Sequence, residues 1–416
     1  MLRILRREFF IRSIRFGAIA AFLLVVVPAF AQNMPPIPPE FVPKIPPQAI
    51  AYQRAHTLNG LCSLIWNLLG LFLFVICGGA AKLRDKFAMT RNSTDKPPRI
   101  LPLLIYFTVF VLLLTVWRLP FNLVRYGIEL HFGFARQSLP AFLMDILKGK
   151  IFDLIMVPVL WLGYRFVAKV GASWWRGMSL ALVPLLLFQF VLSPILVAPL
   201  FHTYTPLETG KTRTRLLDLA AKAGITDGRI FVENTSIRTK HVNAYVVGVG
   251  PSTRIVLNDT ALQTLPEDQL YAMMAHEMGH YVEGHLWVQF VSSVIGATAF
   301  LFIVARLMPF LIARYGEKWR IKGLFDLAAL PLLSALIAVF MLIQSPVENF
   351  ESRTMERRAD RFALRVTKER EPMARLFVGF AERDYSDPDP PTLLHLFFGS
   401  HPTLNERIRF SLYGNE

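Results

Sequence analysis

Long apolar blocks constrain this chain more than any other feature. They run at about residues 14–31, 58–80, 100–118, 151–170, 176–200, 286–308 and 324–345, each near the ~20 residues that a helix needs to cross a bilayer. With 53% hydrophobic residues and a mean hydropathy of +0.41, the chain is too apolar for an ordinary soluble enzyme. It reads as a mainly α-helical integral membrane protein with about seven transmembrane helices. The first block differs from the others. Arg3, Arg6, Arg7, Arg12 and Arg15 precede it, and Ala29-Phe30-Ala31 follows as a small-x-small pattern, so residues 1–31 are either a signal peptide or a first transmembrane helix.

The net charge of +15 raises nucleic acid as a partner, but the distribution of charge speaks against it. Basic residues gather in the N-terminal arm, in Lys82 to Arg99, in Arg165 to Arg176 and in Arg306 to Lys322. If every span crosses once, all four groups lie on one side, as the positive-inside rule expects. The partners implied are a lipid bilayer and no nucleic acid. By the same count, the polar segments at about 201–285 and 346–416 face away from the cytoplasm. Cys62 and Cys77 sit on one expected helix, about 22 Å apart at helical rise, too far for a bond within it.

The organisation follows from these blocks. Residues 32–57 form a Pro-rich extramembrane linker, with Pro35 to Pro47 as an extended spacer. Residues 58–200 form an N-terminal membrane region of four spans. Residues 201–416 hold the catalytic region and two further spans, at about 286–308 and 324–345. Within its insert, His241 to Val249 reads as a strand, Gly250-Pro251-Ser252 as a turn and Arg254 to Leu257 as a second strand, together a hairpin. An exposed strand edge there can pair with an extended peptide.

The chemistry is carried by His276-Glu277-Met278-Gly279-His280. Pro266 and Glu267 mark a helix start, and Leu270, Met273, Met274 and Met278 give an apolar stripe at helical period. Two imidazoles four apart on one helix face can share a zinc ion, and the Glu between them can serve as general base. Catalytic zinc sites use three protein ligands and leave a position for water. The metzincin pattern would place the third ligand shortly after the second His, but Glu283 and Leu286 occupy its Gly and His positions, and His285 is one residue out of register. A Glu on a second helix is the alternative, and Glu356 fits it. Asp360 lies one turn beyond on the same face, where it can hold a ligand His through the other ring nitrogen. The reading is metal-assisted peptide hydrolysis, with zinc on His276, His280 and Glu356 and with Glu277 taking a proton from water. Near the C-terminus, His401 or Arg407 can stabilise the oxyanion formed on attack.

With these pieces in place, the chain resembles the type I CAAX prenyl endopeptidases, integral-membrane zinc metallopeptidases of the gluzincin kind. The resemblance spans roughly residues 100–416. It takes in Leu119-Pro120 through Gly133-Phe134, Ala198-Pro199-Leu200-Phe201, His241-Val242-Asn243-Ala244-Tyr245, Arg254-Ile255-Val256-Leu257, the His276 to His280 motif, Glu356 to Asp360, and His401-Pro402 with Glu406-Arg407. It implies a barrel of seven membrane helices around a water-filled chamber, and a small α+β zincin-like catalytic part assembled from the insert and the C-terminal tail. It implies His276, His280 and Glu356 as ligands of one zinc ion, with Glu277 as base. It also implies Asn243, Ala244 and Tyr245 as the substrate-binding edge, and His401 and Arg407 near the scissile carbonyl. The implied activity is removal of the last three residues from prenylated CAAX proteins. The chain departs from the family pattern at Tyr281, where the family has Trp, and at Val242, where it has Ser.

Two other functions compete. One is a general membrane-protein quality-control endopeptidase, favoured by the charge pattern and by a signal-like N-terminus that suits a bacterial inner membrane; the family pattern instead places the catalytic part on the cytoplasmic side. The other is a non-catalytic transporter or assembly factor. The complete ligand set and the few ionisable residues in the expected spans speak against that.

Overall fold

The apolar blocks become helices longer than the blocks themselves. A computed structural model of the protein describes residues 35–87, 96–197, 199, 202–225 and 229–415; the segment expected at 1–31 lies outside them. Helix α1 runs over Pro47–Ile76 and is followed by the short α2, Gly79–Lys86. Helix α3 covers Ile100–His131, α4 covers Leu139–Val170, and α5 covers Trp174–Leu187, extended by a π turn and one more helical turn to Leu196. Gly171, at φ 71°, makes α4 and α5 a hairpin. Gly177 of α5 meets the ring of Phe166 of α4 so closely that a Cβ there would have no room. Among the described residues, five helical stretches are long and apolar enough to cross a membrane, the α4–α5 hairpin counting as one of them.

A 32-residue helix is about 48 Å long, against roughly 30 Å of hydrocarbon. Helix α3, of that length, therefore projects well beyond the bilayer, which is how Glu129 near its end reaches the catalytic region. None of the apolar window of the α4–α5 stretch is buried, and only 11% of that of α1. These two stretches therefore pack only loosely against the rest of the bundle.

The soluble insert builds a four-stranded sheet and its covering helices. Strand β1 is Tyr204–Pro206, followed by helix α6, Lys211–Lys222; β2 is Arg229–Glu233, β3 Ala244–Val247 and β4 Arg254–Asn258. The order is β1-β2-β4-β3, with β2 and β4 parallel and the other pairs antiparallel. The expected hairpin is present, with Ala244 opposite Leu257, but its first strand is shorter than expected. His241 to Asn243 lead into it instead of belonging to it. Strand β3 ends the sheet, so its outer edge is available.

Helix α7, Asp259–Thr264, leads to the motif helix α8, Glu267–Val282, which starts after Pro266 as expected. Gly284, at φ 66°, stops it before α9, His285–Trp319. Helix α10, Leu330–Thr367, returns across the bundle, and α11 (Arg370–Glu382), α12 (Thr392–Phe398) and α13 (Leu404–Tyr413) close the tail. The catalytic core is continuous from the sheet, through Ile255 and Leu257, to Met274 and Met278 of α8, Leu364 of α10 and Phe377 of α11. The Pro-rich segment belongs to it as well. Phe41 is buried there, Arg375 lies over its ring, and Tyr413 donates to the Pro36 carbonyl. The segment is thus a docked strap and not a free spacer.

At the far end of the bundle the basic stretches come together. Arg84 of α2 pairs with Asp326 and donates to the Arg320 carbonyl, and Trp174 shares a cluster with Ala80 and Ile321. Asp326 also accepts from the Lys322 and Ala328 amides, fixing the turn that leads into α10. Both partners of the Arg84–Asp326 pair are buried. Breaking one side of such a pair costs about 3–5 kcal/mol, whereas an apolar replacement of both is far milder. Arg84→Met should therefore lower the thermal midpoint of the detergent-solubilised protein strongly. Adding Asp326→Leu should recover only part of the loss in the same melt, because the Lys322 and Ala328 amides then lose their acceptor.

Candidate metal centre

The site forms where α8 crosses α10. A Cβ on Gly279 would lie 3.1 Å from both the Cα and the carbonyl oxygen of Ala359, so the two helix backbones are in near contact. Gly279 lies inside the His276–His280 motif, and Ala359 lies between Glu356 and Asp360. The small pair therefore sets imidazoles from one helix against carboxylates of the other. His276 Nε2 is 3.1 Å from His280 Nε2 and 3.3 Å from Glu356 Oε2, and His280 Nε2 is 3.2 Å from Glu356 Oε1. Among the described residues, His276, His280 and Glu356 are the one group placed to hold a metal ion.

The surroundings orient these groups. Asp360, almost fully buried, takes the other face of His276, with 2.8 Å between Oδ1 and Nδ1, as the spacing implied. Arg407 of α13 is buried too. Its Nε donates to Asp360 Oδ2 at 2.9 Å, Nη2 to Oδ1 at 2.6 Å, and Nη1 lies 3.3 Å from Glu356 Oε2, while the guanidinium covers the Phe377 ring. Burial disfavours the charged guanidinium, but Asp360 and Glu356 outweigh it and raise its pKa further. Of the two oxyanion candidates, Arg407 is committed to carboxylates, and His401 is exposed, with Nε2 3.5 Å from Glu356 Oε1 and Nδ1 2.9 Å from Ser400 Oγ.

A cavity of about 460 Å³ opens onto the site, lined by His276, Glu277, His401 and Arg407 and by apolar side chains of α8 and α11 such as Met273 and Phe377. Glu277 is half-buried in this wall, and desolvation raises its carboxyl above the ordinary range despite the pull of His276 and His280. Of the expected substrate edge, Asn243 lines the cavity, Ala244 is buried in the core, and Tyr245 points across the sheet to bond Glu233 at 2.8 Å and Tyr204 at 3.1 Å. Both departures from the family pattern lie close by: Val242 lines the cavity, and the Tyr281 hydroxyl accepts from Thr253 beside the hairpin turn.

Sequence reasoning missed the group that fixes the start of β3. His241 stacks on Phe134 at 4.4 Å between ring centres, lies 3.5 Å from Glu129 of α3 and 3.8 Å from Asp384, and accepts Thr260 Oγ1 at its carbonyl. Lone carboxylates at 129 and 384 carry no pattern that sequence alone could join. Burial lowers the His241 pKa, but the bonds to Asp384 and Glu129 outweigh it and hold the imidazole up at about 9. A raised folded-state pKa contributes stability that is full below the unfolded value near 6.5 and lost as pH rises through the folded one. Comparison of wild type with His241→Gln by thermal unfolding should therefore show a large gap at pH 6 that narrows through pH 9. Gly279→Ala, in turn, should force α8 and α10 apart by a few tenths of an ångström and weaken metal retention in a chelator titration.

With the geometry in place, comparisons locate the chain. Residues 206–412 match the model of peptidase family M48, and residues 28–203 match that of the CAAX prenyl protease N-terminal region, described as five membrane helices. An uncharacterized metalloprotease of Bacillus subtilis is 31% identical over 370 residues, covering 87% of this chain and 84% of that protein. A CAAX prenyl protease 1 homolog of Arabidopsis thaliana is 31% identical over 313 residues, covering 70% and 69%. The crystal structure of S. mikatae Ste24p superposes with a TM-score of 0.78 at 21% identity, covering 92% of this chain and 93% of that one, which confirms the fold. The insert, the tail and the membrane helices thus match together and in order, and the chain belongs to peptidase family M48, as a membrane metalloprotease of the CAAX prenyl protease type.

Proposed function

We propose that the protein is a zinc-dependent endopeptidase that binds its substrate as an extended strand along the outer edge of β3 and removes the C-terminal residues of prenylated CAAX proteins. The observation that carries the metal reading is the fit of the three ligands. Tetrahedral zinc with bonds near 2.0–2.1 Å separates its ligand atoms by about 3.3 Å, and the three separations here are 3.1, 3.2 and 3.3 Å. Glu356 Oε2 is buried and meets the His276 imidazole and the Arg407 guanidinium, each at 3.3 Å, without a hydrogen bond of good geometry.

Bound zinc would supply Lewis acidity, lowering the pKa of water and polarising the scissile carbonyl. The remaining steps belong to side chains. Glu277, its proton affinity raised by its surroundings, accepts a proton from the attacking water and delivers it to the departing amide nitrogen. His401 is the group free to donate to the developing oxyanion, since Arg407 is spent on Asp360 and Glu356. Asp360 holds His276 with its proton on Nδ1, which leaves Nε2 as the ligand atom. Asn243 at the cavity wall and the main chain of β3 align the peptide.

A second reading rests on the ends of the helices. The basic stretches around Arg84 and Arg320 meet at the end of the bundle away from the metal centre. With positive residues inside, the catalytic end faces out of the cytoplasm, as it would in a bacterial inner membrane. Its substrates would then be membrane-associated proteins on that side, and the activity a general quality-control one.

The test is proteolysis by the detergent-purified, zinc-loaded protein on a farnesylated CAAX peptide and its unprenylated counterpart. Loss of the last three residues from the farnesylated peptide alone supports the prenyl reading, and equal cutting of both supports the second. Glu277→Gln should lower kcat by about 10²–10⁴-fold while zinc content is unchanged, as expected for loss of a general base. Full activity of that variant would remove the mechanism.

A further inference from the structure

His285 is the first residue of α9, only 2% exposed, and its side chain turns back towards the motif helix. Its Nδ1 lies 2.9 Å from Nδ1 of His280. On the opposite side of the His280 ring, Nε2 faces His276 and Glu356. A metal-binding His usually donates its other ring N–H to a carboxylate, a carbonyl or water, which fixes its tautomer and orientation. Asp360 fills that place for His276. For His280 the place is filled by a second imidazole.

We propose that His285 is the positioning residue of His280: it accepts the Nδ1 proton of His280 and so leaves Nε2 free to ligate the metal. The inference rests on the reading of His276, His280 and Glu356 as ligands. Proton bookkeeping makes it specific. A proton shared by two Nδ1 atoms belongs to one ring at a time. If His285 were the donor, His280 would carry its proton on Nε2 and could not bind a cation there. His285 must therefore be the neutral tautomer protonated at Nε2. That nitrogen is buried and has no hydrogen-bond partner. A buried N–H with no acceptor is a standing cost to the fold. The cost is understandable if the ring is kept for the acceptor on its other side. Gly284 makes the arrangement possible, because its left-handed turn, at φ 66°, breaks α8 from α9 and lets a residue five positions after His280 fold back against it.

The inference separates two kinds of substitution. His285→Phe keeps the ring volume, removes the acceptor and also removes the orphan N–H. His285→Asn removes the ring but can present a carbonyl oxygen near the place of Nδ1. Zinc affinity of the full-length protein in detergent, measured by competition with a chromophoric chelator, should fall about 10–100-fold in His285→Phe, the usual consequence of losing such a partner. In His285→Asn it should stay within a few fold of wild type. The metal-free Phe variant should melt no lower than metal-free wild type, which separates loss of positioning from loss of fold. Equal zinc affinity of wild type and His285→Phe, or an equal loss in the Phe and Asn variants with both folded, would overturn the assignment. Failure of the wild type itself to bind zinc would overturn the reading of the ligands and this inference with it.

Discussion

The near contact of α8 and α10 at Gly279 and Ala359 is the constraint on which the rest of the site depends. Five ionisable groups of the centre sit within a turn of that crossing. His276, Glu277 and His280 lie on one helix, and Glu356 and Asp360 on the other. Two backbones that approach this closely leave room for short-range bonds between imidazole and carboxylate and for little water. The same contact lies inside the catalytic core, flanked by Met274, Met278 and Leu364, so the geometry is held by packing as well as by charge. Three of these groups, His276, Glu356 and Asp360, are buried, which would be costly without partners. Here His276, His280, Glu356 and Asp360 find partners in one another, and Arg407 joins the two carboxylates of α10.

What the sequence disclosed follows the range of each interaction. Periodicity within one helix is visible in a string of letters, so the i, i+4 pairs His276/His280 and Glu356/Asp360 and the hairpin at Gly250 were legible. The membrane helices were legible as apolar blocks, although their true lengths were not, because polar turns that continue a helix beyond the bilayer do not score as apolar. Contacts between distant segments were not legible. Glu129, His241 and Asp384 converge from three parts of the chain. The Pro-rich segment had the composition of a spacer, and only the burial of Phe41 among helices of the tail shows that it is held. His285 was considered as a metal ligand and set aside by its register. The register argument was sound, and the residue's place beside His280 depends on the left-handed turn at Gly284 that follows the motif helix.

The membrane part does more than anchor the catalytic part. Helix α3 is long enough to carry Glu129 out of the bilayer to His241, two residues before Asn243. Tyr52 of α1 donates to this carboxylate at 3.0 Å, His56 Nε2 lies 2.9 Å from it, and Tyr385 meets Tyr52 and Phe134 edge-on from the tail. Two membrane helices, the insert and the tail thus share one polar cluster at the start of β3. A tilt of α1 or α3 in the bilayer would be felt at Asn243 before it reached the metal ligands, which are held by separate bonds between α8, α10 and α13.

This separation suits a membrane metalloprotease. The metal ligands need a fixed geometry, and they receive it from a buried crossing, a buried Arg–Asp pair and two ring-nitrogen partners, Asp360 and His285. The proposed substrate edge is the main chain of an edge strand, whose hydrogen bonds ignore side chains and so suit a peptide of variable sequence. The orphan nitrogen of His285 and the half-buried carboxylate of Glu277 then stand as local costs at the one place where chemistry needs them, and the packing of the catalytic core around α8 offsets them.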